Sequence, residues 1–95
     1  MNLNALLEVL NGNKEDKFVV VGMKNKVTEA VVADNLVKVT VTDMKKKHVD
    51  TVANVLEVLG KVDAGAAGGL EVTLNGKVLA SAEATSEDYV VCKVS

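Results

Sequence analysis

Ninety-five residues, 48% hydrophobic and 25% charged, are enough for one domain with a single core and exclude the disordered and fibrous classes. The formal charge of -2 gives no general attraction for nucleic acid or for an anionic membrane surface. All 11 basic residues are lysine and there is no tryptophan, so neither the planar fork that reads guanine nor a base-stacking platform is present, and sequence-specific DNA binding is not expected.

Leu3, Leu6, Leu7 and Leu10 recur at helical spacing, and Asn2 or Asn4 can cap the start, which predicts a helix from Asn2 to Asn11. Asn11-Gly12-Asn13 is expected to end it through residues that tolerate the left-handed conformation. Three strand-like runs follow, Lys17 to Met23, Val27 to Ala33 and Leu36 to Thr42, separated by the turn residues Lys24-Asn25-Lys26 and Asp34-Asn35. In the third run Val37, Val39 and Val41 alternate with Lys38, Thr40 and Thr42, the mark of one dry and one wet face.

A longer helix is predicted from Met44 to Leu59, capped by Thr42 or Asp43. Its dry face would hold Met44, His48, Val49, Val52, Val55, Leu56, Leu59 and Val62, and its wet face Lys46, Asp50, Asn54, Glu57 and Lys61. Gly60 would stop it, and the Gly- and Ala-rich stretch from Asp63 to Gly69 reads as a mobile connection. Leu70 to Leu74, a turn at Asn75-Gly76, Lys77 to Ala84, a polar turn from Thr85 to Asp88, and Tyr89 to Val94 complete the order αβββαβββ. Leu7-Glu8-Val9-Leu10 recurs as Leu56-Glu57-Val58-Leu59, and Lys26-Val27 as Lys77-Val78. The chain therefore reads as one domain with two repeat units, 2–42 and 43–95, set against chance recurrence of short Leu/Val words.

Phe18 to Val21, Val31-Val32 and Tyr89 to Cys92 are apolar at both parities, so hydrophobic side chains would sit on both faces of a sheet that two helices cover on one side only. The remedy this suggests is self-association or a protein partner, with Val19, Val21, Val31 and Val90 at the interface. The alternative is a sheet that curls until both sets are internal.

The chemistry-bearing residues are few. Lys45-Lys46-Lys47-His48 would open the second helix, where free N–H groups already make positive potential, a place for a phosphate, nucleotide or nucleic-acid backbone. A solvated helix start explains the same residues. His48 and the lone Cys92 could form a dyad, but a strand cysteine among valines behaves as a small hydrophobe. With one cysteine and one histidine there is no disulfide framework and no zinc cage, and no cofactor is expected. Thiol usage points to a reducing compartment, the cytoplasm. Met1 to Leu10 lacks a basic leader, and no apolar run is long enough for a membrane span. The expectation is an α+β domain of two helices on a mostly antiparallel sheet of about six strands, acting as a non-enzymatic interaction protein that binds itself and another protein.

Overall fold

The structure, a computed structural model, describes residues 1–23, 26–43 and 49–95. Among these the elements in chain order are α1 (Leu3–Asn11), β1 (Lys17–Val20), β2 (Lys26–Ala33), β3 (Leu36–Thr42), β4 (Asp50–Thr51), α2 (Val52–Leu59), α3 (Ala64–Ala67), β5 (Glu71–Leu74), β6 (Lys77–Ala84) and β7 (Tyr89–Val94). The fold is mixed α+β, with three helices and seven strands where two and about six were expected.

Helix α1 starts as its sequence asks, with Asn2 Oδ1 accepting from the Ala5 N–H at 2.8 Å. Its end differs from the expectation. Gly12 stays right-handed at φ -76°, and the last carbonyls are met by side chains: Asn11 Nδ2 donates to Leu7 O and Asn13 Nδ2 to Val9 O. The turns at Asp34-Asn35 (φ 55° and 58°) and Asn75-Gly76 (φ 50° and 82°) are left-handed at both central positions, as two-residue hairpins require.

The second helix is shorter than predicted. Met44 and the stretch 45–48 lie outside the described residues, while Asp50 and Thr51 are strand and only Val52–Leu59 is helical. The cap is Thr51, whose Oγ1 accepts from the Asn54 N–H, in place of Thr42 or Asp43. Asp50, assigned to the wet face of a helix, is buried instead, because strand pairing with Phe18 turns its carboxylate inward.

The stretch expected to be a mobile connection is also ordered. Asp63 Oδ1 caps α3 by accepting from the Gly65 N–H, and Gly68 lies so close to Asn4 that a Cβ there would fall 2.5 Å from its side chain. Asn4 N–H donates to Gly68 O and Leu3 N–H to Leu70 O, so this segment satisfies donors at the free start of α1.

The strands form one mixed sheet in the order β2-β3-β5-β6-β7-β1-β4. Four of its ladders are antiparallel and two, β3 with β5 and β1 with β7, are parallel, so the sheet differs in detail from the mostly antiparallel one expected. The crossover through α2 carries the chain from β3 to β5 in the same direction, which a hairpin cannot do. The sheet then curls until its ends meet. Val27 on β2 donates its N–H to Asp50 Oδ2 on β4 at 2.7 Å, and Asn54 Nδ2 donates to Val27 O at 3.2 Å. Asp50 Oδ1 accepts from Thr51 N–H and Asn54 Nδ2, so a buried carboxylate and an amide close the seam that no backbone ladder closes. Phe18, Val20, Val90 and Cys92 pack inside this curl with Leu3, Leu6 and Leu10 of α1 and Val52, Val55 and Leu59 of α2.

Candidate interaction surface

The ladders fall into two sets of three strands with matching geometry. Strand β2 runs antiparallel to β3 and β3 parallel to β5; β6 runs antiparallel to β7 and β7 parallel to β1. Residue by residue, Val37 beside Val72 matches Val90 beside Phe18, and Val39 beside Leu74 matches Cys92 beside Val20. The bulge between Val27 and Glu29 matches that between Leu79 and Ser81. The helix starts match as well: Asn2 bridges Glu71 as Thr51 pairs with Lys17, and Leu3 N–H donates to Leu70 O as Val52 N–H donates to Asp16 O. Each position in one set thus has a counterpart that serves as its control.

The inward residues agree between the sets and the outward ones do not. On β1, Lys17 and Val19 share the parity opposite to buried Phe18 and Val20, and Val21 continues alongside β7 by donating its N–H to Cys92 O. On β7, Tyr89, Val91 and Lys93 are the outward parity, with Lys17 Nζ 5.7 Å from the centroid of the Tyr89 ring. Val19 stands beside Val91, and one step further along the β1–β4 register Val49 lies opposite Val19. Val21 and Val49 are 52% and 39% exposed. The counterparts of Val19, Val91 and Val21 are Thr73, Lys38 and Asn75. The Asn75 side chain is engaged internally, bonded to both N–H and C=O of Val41.

Of the residues predicted at an interface, Val19 and Val21 fall on this outer face and Val31 on the outer side of β2. Val90 does not: it is fully buried in the core, so its side chain has nothing to offer a partner. Val91 and Val49 take part instead. The signal for Val91 was present in the sequence, since Lys93 shares its parity and must face water; Val49 gave none, having been assigned to a helix that does not extend to it. Lys45, Lys46, Lys47 and His48, the predicted anion site, lie outside the described residues.

Cys92 is fully buried, and that burial pushes its thiol up to about 12, so it is no nucleophile at neutral pH. Asp34 is the other shifted group: a hydrogen bond and the charge of Lys38, with Nζ 2.6 Å from Oδ2, hold its carboxyl below the usual range. No three His, Cys, Asp or Glu side chains among the described residues converge in a way that could hold a metal ion. No helix among them is long and apolar enough to cross a membrane. No family model matches the sequence, and the curated proteins and solved structures likewise hold no match.

Proposed function

We propose that the protein is a non-enzymatic interaction module that binds another protein through the outer face of β4, β1 and β7. The observation that carries this reading is the run of Val49, Val19, Val91 and Val21 on an outer face whose counterpart bears Thr73, Lys38 and Asn75. Both faces are built on the same backbone, and at these positions the counterpart carries polar side chains, Thr73 buried, Lys38 half-exposed and Asn75 exposed, so the backbone plan by itself does not ask for valine. Covering a half-exposed valine contributes on the order of 1 kcal/mol; Val21 and Val49 are exposed to about that extent, and the less exposed Val19 and Val91 join them and Tyr89 in a small apolar centre. Lys17 and Lys93 flank it as a polar rim, the usual anatomy of a protein-binding patch.

The test is capture of a stoichiometric protein partner on the immobilised full chain, compared with Val21→Glu/Val49→Glu and with Thr40→Glu on the other outer face. The double variant is expected to fold normally and lose the partner, and Thr40→Glu to keep it. Equal capture by all three, or none by the parent chain, would sink the reading.

A further inference from the structure

We propose that β2 is a homodimerisation edge, pairing antiparallel with β2 of a second copy about a two-fold axis at Val31. This surface is separate from the β4-β1-β7 face and goes beyond the function proposed for it. Strand β2 is one of the two terminal strands of the sheet, and among the described residues β3 is its one ladder partner. The two-residue turn makes Ala33 and Leu36 a hydrogen-bonded closing pair. Alternation then makes Val31–Lys38 hydrogen-bonded and leaves Val32–Val37 and Ala30–Val39 as non-hydrogen-bonded pairs. The carbonyl of Val39 confirms the parity, since it turns away from β2 to accept from Asn75 N–H at 3.0 Å. The backbone N–H and C=O groups of Ala30 and Val32 therefore point outward from the sheet. At Val27 the corresponding outward groups are taken by Asp50 and Asn54, so among the described residues the edge is closed at Val27 and open at Ala30 and Val32.

The side chains along the open part invite pairing. Val31 and Val32 are 44% and 49% exposed, and neither lysine nor proline guards Ala30 to Ala33. The counterpart segment on β6 differs where it matters: Glu83 stands in the place of Val31. A symmetric pairing of β6 would set Glu83 against Glu83, whereas the same pairing of β2 sets Val31 against Val31. In that register Ala30 exchanges both hydrogen bonds with Val32 of the second copy, Glu29 faces Ala33, and no like charges meet. Because the same segment of β2 meets itself in the second copy, the contact is isologous and closes at two copies.

The occupant is tested with the full chain. Light scattering over a micromolar to millimolar range is expected to show the mass rising from one chain of 10.0 kDa to two, with little dependence on salt. Val31→Cys should link two chains under mild oxidation, because directly opposed residues of a non-hydrogen-bonded pair lie about 4.5 Å apart at Cα, within disulfide reach. Glu29→Cys, which faces Ala33 and not itself, should link at least tenfold more slowly. Val32→Pro removes an outward N–H and leaves the β3 ladder intact, and should weaken association at least tenfold. A single-chain mass at every concentration, or equal linking of the two cysteine variants, overturns the proposal. So does a chain that stays single yet takes up an added extended peptide along β2, because the second copy would then be the wrong occupant.

Discussion

The two three-stranded sets share a backbone plan and an inner face, yet their outer faces have diverged. Inside, Val37 answers to Val90, Ala30 to Ala82 and Val27 to Leu79, all buried and apolar. At the outward parity Val19 answers to Thr73, which is itself buried, Val91 to Lys38 and Val31 to Glu83. The inner face is constrained by close packing, where a change of one methylene is felt, while an outer position is free unless something binds there. The comparison separates what the fold needs from what it carries.

The sharpest way to break this comparison is at the largest core side chain. Phe18 occupies the place of Val72, so Phe18→Ala is expected to lower unfolding free energy by about 3–5 kcal/mol in a urea titration and Val72→Ala by about 2 kcal/mol. Equal losses would mean the two inner faces are not built alike.

The seams come next, because they are closed differently. Asp50→Ala leaves the Val27 and Thr51 N–H groups and the Asn54 amide without their acceptor, at an expected cost of about 1–3 kcal/mol, while Asp50→Asn keeps an acceptor oxygen and should cost less. On the other seam Met1 takes the equivalent place, its ammonium donating to Glu71 Oε2 and Leu79 O. Glu71 is half-exposed, so Glu71→Gln there should change stability by well under 1 kcal/mol. Similar losses at both seams would erase the distinction between a buried latch and a solvated one.

The helix caps should behave as equals. Asn2→Ala and Thr51→Ala each remove one acceptor from a first-turn N–H, and each is expected to cost about 1 kcal/mol by thermal or chemical denaturation.

The last effect is invisible at neutral pH. Cys92 answers to Val39, and burial raises its thiol from 9.0 to about 12. In that window the unfolded chain loses the proton and the folded one keeps it, so this group's stabilising contribution, complete below 9.0, falls as pH rises, by up to about 1.4 kcal/mol per pH unit. Cys92→Val makes the two sets alike and should remove that share of the alkaline slope. Parallel slopes for the two proteins between pH 9.0 and 12 would show the thiol is not shielded.

Much of the local structure was legible in the chain. Leucine spacing marked α1, Asp34-Asn35 and Asn75-Gly76 marked the hairpins, and the boundaries of β3, β6 and β7 were readable from alternation and turn chemistry. The interface residues were half legible. Runs apolar at both parities pointed to Val19, Val21, Val31 and Val90 without saying which parity faces out, and the structure puts Val90 in the core. Asp50 was missed because a carboxylate on the wet face of a predicted helix reads as solvent-facing; nothing local says that it will accept the N–H of a residue 23 positions earlier.

The sequence by itself determined most of the strands, the first helix with its Asn2 cap, the two hairpin turns and the apolar sets available for burial, because these depend on spacing and on backbone preferences acting over a few residues. Tertiary structure alone decided that β1 pairs with β7 and β3 with β5, that the sheet closes through Asp50, and that α3 docks on the start of α1. Those outcomes turn on which distant N–H and C=O groups find each other when the core excludes water, and a buried polar group must take whatever partner the packed chain brings to it.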